Sequence, residues 1–325
     1  MELIIKPTGL CNFNCEFCSA SNLDISHPKN GVPKEIKDLI LKMKPSTIIL
    51  TGGEPLMVGP DYIMEIQELA PDNTYISLTS NMKDFYFNPD KWRDVVNHPH
   101  IRFITSFNYG HTRRWDENTV YDENMFKKVT NKFKEITGGK SLPFIAIIDE
   151  SNEEFIMDHI YLAKELNTKV KINGACKLGR QGKNYPKYKI IKSYIEIIDK
   201  GLEKYEITCS NRKLGQCAFN TNFMCSSTIR VCYIDSNGKL HYGRCEDEIS
   251  LGKCGEIPMD ENLPIDPKVE IPSIKDHITN KCSYCELFRF CNGCHEHRKH
   301  AKEFSEYCGE MMKLKDDIIR QGWAI

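Results

Sequence analysis

The sequence lacks an excess of charge of either sign: 44 Lys and Arg residues stand against 45 Asp and Glu residues, for a formal net charge of -1. This balance excludes a global basic field that would draw the protein to nucleic acid or to a membrane surface. The sequence also lacks long apolar runs, and one of the longest, residues 144–148, is far too short to span a bilayer. Its first residues show no signal-peptide pattern. We therefore expect a cytoplasmic protein with no membrane partner.

Internal repeats and low-complexity segments are missing too, whereas cysteine is plentiful. The chain has 15 cysteines. Disulfides are rare in a reducing cytoplasm, so ligation of metal or iron–sulfur clusters is the better explanation. Eleven of the cysteines lie between Cys209 and Cys308, where apolar residues are too sparse to form a core and a domain folded around metal is expected. We predict two domains, residues 1–205 and residues 206–325.

Residues 1–205 alternate between short apolar runs of strand length and amphipathic segments with helical spacing. The predicted strands are residues 3–6, 47–50, 75–78, 101–107, 144–148 and 170–173. Such an alternation is typical of an α/β fold with a parallel sheet, whose active site lies at the carboxyl ends of the strands. The residues that carry chemistry are therefore expected just after the strands.

Three cysteines follow the first predicted strand directly. Cys11, Cys15 and Cys18 are separated by three and then two residues. Three thiolates on one short loop can reach three irons of a [4Fe–4S] cluster, and the lack of a fourth ligand leaves one iron open for another molecule. The alternative is a zinc knuckle, which is disfavoured because no fourth Cys or His follows at the spacing of a zinc site.

These residues resemble the radical SAM superfamily, whose CxxxCxxC motif binds a [4Fe–4S] cluster and S-adenosylmethionine (SAM). Phe17 matches the aromatic residue that the family prefers before the last cysteine. Further segments that resemble the family's follow predicted strands: Gly52, Gly53, Glu54 and Pro55; Ser80 and Asn81; Ser106; and Arg180. By this resemblance they bind the cofactor, with Glu54 facing the SAM amino group and Arg180 pairing with the SAM carboxylate. Asn108 departs from the family's Ser-x-Asp pattern, which has aspartate there.

The resemblance implies a fold and an activity. The fold is a partial (β/α)6 TIM-like barrel followed by a small Cys-rich domain. The activity is that of a radical SAM enzyme, in which an electron donor such as flavodoxin or ferredoxin reduces the cluster and SAM is cleaved to a 5′-deoxyadenosyl radical. That radical abstracts hydrogen from a C–H bond, while the protein supplies orientation. Oxidoreductase, isomerase and lyase outcomes all stay open.

The C-terminal cysteines resemble the SPASM extension found on a subset of these enzymes. The residues that carry this resemblance are Cys225, Cys232, Cys245, Cys282, Cys285, Cys291, Cys294 and Cys308. By resemblance they bind one or two auxiliary [4Fe–4S] clusters, one through Cys225, Cys232, Cys245 and Cys294 and the other through Cys282, Cys285, Cys291 and Cys308. The interval before Cys294 is two residues where three is usual, so a single auxiliary cluster is the fallback. Structural zinc is the alternative.

Two further features lie near the expected active-site edge. Cys176 follows the sixth predicted strand and is a candidate catalytic donor of a hydrogen atom, although an inert buried cysteine is the commoner case. Residues 107–115 interleave aromatic and basic side chains, which could stack a base and pair a phosphate. We favour an ordinary loop that buries Trp115 and leaves its arginines in solvent.

The sequence leaves the substrate class open. SPASM-bearing enzymes often modify peptides or proteins, so the first hypothesis is a peptide or protein substrate. The first strand begins at Leu3, which leaves no room for an N-terminal leader-recognition domain and weakens the peptide hypothesis. Modification of a nucleobase or DNA base is the second hypothesis, and a small-molecule dehydrogenase is the third. A non-catalytic metal-bound scaffold would require the SAM-type segments to be coincidental.

Overall fold

The computed structural model describes residues 2–18, 20–21, 23–110, 113–116, 118–175, 180, 185, 187–210, 229–244, 287 and 306–321. The strands are β1 (Glu2–Ile5), β2 (Thr47–Leu50), β3 (Tyr75–Thr79), β4 (Ile101–Ser106), β5 (Phe144–Ile148), β6 (Val170–Gly174), β7 (Ile229–Ile234) and β8 (Leu240–Arg244). The helices are α1 (Lys34–Met43), α2 (Pro60–Leu69), α3 (Lys83–Phe87), α4 (Arg93–Asn97), α5 (Glu123–Ile136), α6 (Ile156–Glu165), α7 (Lys187–Asp199), α8 (Glu306–Lys313) and α9 (Lys315–Arg320). Short 3-10 turns precede α2, α4 and α6 and follow α7.

The eight strands of the described residues belong to one sheet with the order β6-β5-β4-β3-β2-β1-β7-β8. Strands β1 to β7 are all parallel to one another, whereas β8 pairs with β7 in the antiparallel direction. At least one helix separates each pair of consecutive strands from β1 to β6. The α/β prediction is confirmed, and each of the six predicted strands is present. Because these strands are parallel, the segments that follow them all start at the same edge of the sheet.

The alternation of side chains along the strands divides the sheet into two faces. Leu3 and Ile5 of β1 are fully buried, whereas Ile4 between them is only half buried. The helices add apolar stripes to the same core, such as Ile36 and Ile40 of α1. Burial of each such side chain stabilises the fold by about 1.5–3 kcal/mol. The loops at the carboxyl edge therefore extend from a well-packed base.

The sheet continues past the predicted domain boundary at residue 205. Strand β7 pairs with β1 in the register Ile5 to Cys232, and the backbone N–H of Lys6 donates to the carbonyl oxygen of Cys232 at 2.9 Å. Strand β8 then adds an antiparallel edge. The two-domain division stays a prediction, but residues 229–244 extend the sheet of the first unit. The sequence analysis missed these strands, although residues 229–234 form an apolar run of strand length, because the cysteines around them led us to assign the stretch to a metal-bound domain.

The last helix packs on the outer helix layer. Arg320 of α9 donates from both Nη atoms to the two carboxylate oxygens of Asp199, at 2.9 and 3.0 Å. Ile318 of the same helix is fully buried. None of the helices in the described part of the chain combines the length and apolar character that a membrane crossing requires.

Candidate active site

The three cysteines of the motif lie on the segment between β1 and α1, which we call the cluster loop (residues 9–18). None of Cys11, Cys15 and Cys18 forms a disulfide. Surrounding protein atoms raise the pKa of Cys11 to about 12 and also raise the pKa of Cys15, with desolvation as the largest cause in both. The thiols of Cys15 and Cys18 each add to the raised pKa of Cys11, so the three groups lie within electrostatic range of one another. Without a metal the raised pKa values keep the Cys11 and Cys15 thiols protonated at neutral pH, and metal binding would release these protons.

Donor groups surround the Cys11 sulfur. The backbone N–H of Phe13 donates to Cys11 Sγ at 3.4 Å, and Asn81 Nδ2 lies 3.8 Å from the same sulfur. Asn81 Nδ2 also donates to Asn12 Oδ1 at 2.8 Å, which ties the segment after β3 to the cluster loop. Hydrogen bonds to sulfur stabilise thiolate ligands of iron–sulfur clusters. This donor set fits a [4Fe–4S] cluster at Cys11, Cys15 and Cys18.

A site for one metal ion needs three or more ligands that lie close together. In the part of the chain that the structure describes, no three His, Cys, Asp or Glu side chains converge closely enough to hold one metal ion. Each cysteine of a [4Fe–4S] site binds a different iron, so its thiols need not converge on one point. The cluster at this loop stays a prediction, with the zinc knuckle as its alternative.

The Gly52-Gly53-Glu54 segment after β2 lies directly against the cluster loop. The backbone N–H of Gly53 donates to the Thr8 carbonyl at 3.0 Å, and that of Glu54 donates to the Leu10 carbonyl at 2.8 Å. A Cβ atom at Gly53 would lie 2.2 Å from the Leu10 carbonyl oxygen, and Gly52 has a φ of +120°. Both positions therefore require glycine, one for close approach and the other for its backbone conformation.

The Glu54 carboxylate connects the segments that follow β2 and β3. Its Oε1 accepts from Ser80 Oγ at 2.7 Å and from the Leu56 backbone N–H at 3.0 Å, while Oε2 accepts from the Asn81 backbone N–H at 2.7 Å. Glu54 is buried, and this desolvation raises its pKa to about 7 even though the three hydrogen bonds oppose the shift. Its contact with the SAM amino group stays a prediction.

The segment after β4 holds a buried cation that the sequence analysis placed in solvent. Trp115 is buried as expected, but the exposure predicted for the arginines is wrong for Arg113, which is only 9% exposed. Its Nε donates to Asn108 Oδ1 at 2.9 Å, and its guanidinium lies over the Phe17 ring, 4.9 Å from the centroid. Arg114 is partly exposed and pairs with Glu16 at 2.9 Å. The sequence contained one sign of this arrangement: Asn108, the partner of Arg113, is an amide where the family pattern has an aspartate.

Arg180 also contacts the cluster loop. Its backbone N–H donates to the Cys18 carbonyl at 3.0 Å. Its Nη1 donates to Asn14 Oδ1 at 2.5 Å and to the Cys15 carbonyl at 2.9 Å. The residue is exposed, so its charge faces solvent beside the loop. Pairing with the SAM carboxylate stays a prediction that this position permits.

Two other predicted cofactor residues lie at the carboxyl edge as expected. Ser106 is the last residue of β4, and Pro55 begins the 3-10 turn Pro55–Val58, where it is buried. Aromatic rings pack against the cluster loop. The centroid of the Phe13 ring lies 5.5 Å from that of Trp115 and 5.1 Å from that of Tyr121. Lys83 lies over the Trp115 ring, 5.2 Å from its centroid.

Most of the predicted auxiliary-cluster ligands lie outside the described residues. They are Cys225, Cys245, Cys282, Cys285, Cys291 and Cys294. The catalytic candidate Cys176 also lies outside the described residues. Cys308 lies in α8, and its side chain also lies outside the described set. Cys232 is described: it is fully buried in β7, opposite Ile5 of β1 and Tyr242 of β8.

The thiol of Cys232 points toward the helices. In adjacent strands, residues paired in register point to the same face, so Cys232 shares the buried face with Ile5 and its β2 partner Leu50. It lies within electrostatic range of the Tyr62 hydroxyl on α2. Burial raises the pKa of Cys232 to about 12. Its role as a cluster ligand stays a prediction, and that role would require this strand to leave the core.

Comparisons with known proteins agree with this geometry. The model of the radical SAM superfamily matches residues 5–163. The structure is similar to anSMEcpe solved with bound AdoMet and the Cp18Cys peptide, at 17% identity over 98% of this chain and 97% of that chain, with a TM-score of 0.66. It is also similar to Streptococcus suis SuiB bound to its precursor peptide SuiA, at 18% identity over 94% of this chain and 73% of that chain, with a TM-score of 0.60.

At these identities the two structures establish the shared fold. No curated protein sequence matches the chain. The match to the family model covers the cluster loop, the Gly52-Gly53-Glu54 segment and the segments after β3 and β4. Residues 5–163 thus match the model of the radical SAM superfamily, and this match indicates that the protein is an enzyme.

Proposed function

We propose that this enzyme cleaves SAM reductively at a [4Fe–4S] cluster held by Cys11, Cys15 and Cys18, and that it modifies a C–H bond of a peptide or protein substrate. The observation that carries the proposal is the cluster loop itself. It presents three free thiols, and the segments after β2, β3 and β6 are hydrogen-bonded to its backbone and side chains. That is the arrangement expected when one cofactor is bound by all of these segments.

Each segment has a part in binding and orientation. The three thiolates hold the cluster, and Asn81 and the Phe13 N–H stabilise the Cys11 sulfur. The glycine pair allows the backbone to approach a ligand closely, and Arg180 offers an exposed guanidinium for a carboxylate. When bound, the cluster and SAM supply the electron and the carbon radical, and the protein orients them. A one-electron donor of the flavodoxin or ferredoxin class is part of this proposal.

A peptide or protein substrate is supported by the solved structures with the same fold. The anSMEcpe structure contains the Cp18Cys peptide, and the SuiB structure contains the precursor peptide SuiA. The nucleobase hypothesis drew support from the aromatic and basic side chains of residues 107–115, which include Trp115. That side chain is 5% exposed and stacks on Tyr121 with a centroid distance of 5.4 Å, so its ring is not free to stack on a base. A peptide is therefore our preferred substrate class.

We further propose a single auxiliary [4Fe–4S] cluster, held by Cys282, Cys285, Cys291 and Cys308. The alternative set of four contains Cys232, whose thiol is buried against the helix-facing side of the sheet. Drawing that thiol into a cluster would break the pairing of β7 with β1 and β8. The loss of buried apolar contacts and strand hydrogen bonds would cost several kcal/mol.

The test is SAM cleavage by anaerobically reconstituted, chemically reduced protein. We expect 5′-deoxyadenosine from the wild type and none from the triple Cys11, Cys15 and Cys18→Ala variant. Cys209→Ala serves as the matched control, because Cys209 is a buried free cysteine outside the cluster loop. Equal 5′-deoxyadenosine formation by the triple variant would refute the proposal.

The substrate class is tested separately. Peptides encoded by neighbouring genes are added to the reduced enzyme with SAM, and 5′-deoxyadenosine is measured above the substrate-free background. A peptide that raises this rate and is recovered with an altered mass or an altered configuration supports the proposal. A rise with nucleosides or DNA, and with no such peptide, would replace the peptide with the nucleobase hypothesis.

A further inference from the structure

The guanidinium of Arg113 is buried at the cluster loop and is held in one position. Its Nε donates to Asn108 Oδ1 at 2.9 Å, and its Cζ lies 4.9 Å from the centroid of the Phe17 ring. Its carbonyl accepts from the Tyr121 backbone N–H at 2.8 Å, which anchors the backbone as well. A charged side chain is seldom buried so completely unless something nearby offsets the cost of removing it from water.

The groups that face this charge are the thiols of the motif. Burial lowers the pKa of Arg113, and among the neighbouring groups that oppose this shift Cys15 comes first, followed by Tyr121 and Cys18. In return, Arg113 lowers the pKa of Cys15 against the desolvation that raises it. Within the described residues, no carboxylate oxygen lies within 4.0 Å of the Arg113 guanidinium, whereas the adjacent Arg114 pairs with Glu16 at 2.9 Å.

The neighbour that holds Arg113 is neutral, and both ends of its amide are used. Asn108 Oδ1 accepts from Arg113, while its Nδ2 donates to the carbonyl oxygen of Ile147 in β5. An aspartate here would place a negative charge against Arg113 and would lose the donor to Ile147. With asparagine, the positive charge of Arg113 is positioned but not neutralised.

We propose that Arg113 is a positioning residue whose uncancelled charge makes the cluster bound at Cys15 and Cys18 easier to reduce. Reduction adds one electron from an external donor, and therefore one negative charge, next to a fixed cation in a poorly solvated site. Net charge and hydrogen bonds to the sulfurs are among the main factors that set cluster potentials. This inference rests on the proposed function, since it assumes a cluster on these three cysteines.

The test is a redox titration of anaerobically reconstituted protein, followed by electron paramagnetic resonance without SAM. The signal of interest is the one missing from the triple Cys11, Cys15 and Cys18→Ala variant, which separates it from any auxiliary cluster. We expect Arg113→Gln and Asn108→Asp to shift the midpoint potential to more negative values. Arg113→Lys keeps the positive charge, so its midpoint potential should lie close to the wild-type value. Arg114→Gln is the matched control and should keep the wild-type potential, because the charge of Arg114 is partly exposed and is already paired with Glu16.

Wild-type potentials in both Arg113→Gln and Asn108→Asp would overturn the inference while leaving the proposed function intact. A Lys variant with the same shift as the Gln variant would also overturn it, because the effect would then follow from packing and not from charge. If Arg113→Gln assembles no cluster, the inference is judged on the midpoint potential of Asn108→Asp: a more negative value supports it and a wild-type value overturns it. If the wild-type protein shows no cluster signal that depends on Cys11, Cys15 and Cys18 and forms no 5′-deoxyadenosine, the proposed function itself is wrong.

Discussion

The carboxylate of Glu54 accepts a hydrogen bond from the backbone N–H of Asn81 at 2.7 Å, and this contact joins the carboxyl ends of β2 and β3. The Asn81 side chain continues the connection to the cluster loop, since its Nδ2 donates to Asn12 Oδ1 at 2.8 Å. A buried carboxylate thus determines where a residue beside Cys11 is held. Glu54 therefore supports the cluster loop through Asn81, in addition to any contact that it makes with SAM.

Replacing Glu54 with glutamine should loosen the cluster loop. The Gln amide can accept from Ser80 and Leu56 through its oxygen, but its NH₂ group would face the Asn81 N–H, donor against donor. An unsatisfied buried group costs about 1–3 kcal/mol, so we expect a lower melting temperature and less iron per chain after reconstitution. Glu135→Gln, at an exposed pair with Lys132, is the control and should change neither measurement. If Glu54→Gln binds as much iron as the wild type, then Glu54 is not needed for cluster assembly and this prediction is wrong.

Glu54 should also give the protein a distinctive pH dependence. Its pKa is about 7 in the folded protein against 4.5 for an unperturbed glutamate. Between these values the unfolded chain has released the proton that the folded protein retains. The contribution of Glu54 to stability therefore declines as the pH rises from about 4.5 to 7, and it levels off above pH 7.

Another buried group acts in the opposite direction, so the test of this pH dependence is a difference. Burial lowers the pKa of His159 from 6.5 to about 4, and its contribution to stability rises with pH across that interval. The free energies of unfolding of the wild type and of Glu54→Gln are measured by urea denaturation at several pH values. The difference between them cancels the contribution of His159, which is the same in both proteins. A difference that does not fall between pH 5 and 7 would contradict the raised pKa of Glu54.

Gly53→Ala should displace the cluster loop for a steric reason. The added methyl would lie 2.2 Å from the Leu10 carbonyl oxygen and 2.8 Å from the Gly9 carbonyl oxygen, and neither backbone atom can move without the loop. We expect both a loss of stability and a loss of iron. Gly59→Ala is the matched control, because its φ of +87° makes alanine strained by about 1–3 kcal/mol while nothing lies within 4 Å. Both variants should be less stable, but only Gly53→Ala should lose iron.

Cys232→Val should keep the full iron content of the protein. Cys232 is surrounded by the buried sheet face, and valine replaces its thiol with a group of similar size and no polar atom. Replacing Cys282 and Cys285 together by alanine should instead remove about four irons, the content of one [4Fe–4S] cluster. Iron analysis of the two variants side by side is the measurement. A loss of about four irons in Cys232→Val would restore this cysteine to the auxiliary ligands.

Much of the fold and part of the site could be predicted from the sequence. The six strands from β1 to β6 have compact apolar runs, and each is followed by a helix with its own periodicity, so local pattern determines them. The cluster motif is equally local, since Cys11, Cys15 and Cys18 lie on one short segment. The order of parallel strands then places the Gly52-Gly53-Glu54 segment and Asn81 at the same edge as this motif.

Only the tertiary structure decided how those segments use their side chains. The burial of Arg113 depends on Asn108, on Phe17 of the cluster loop and on Tyr121, a set assembled from separate segments and invisible to periodicity. Strand β7 joins β1 from far along the chain, and that long-range register, not the cysteine spacing, turns Cys232 toward the helices. Sequence patterns report what a residue does with its near neighbours, whereas burial and charge pairing depend on segments that meet only after folding.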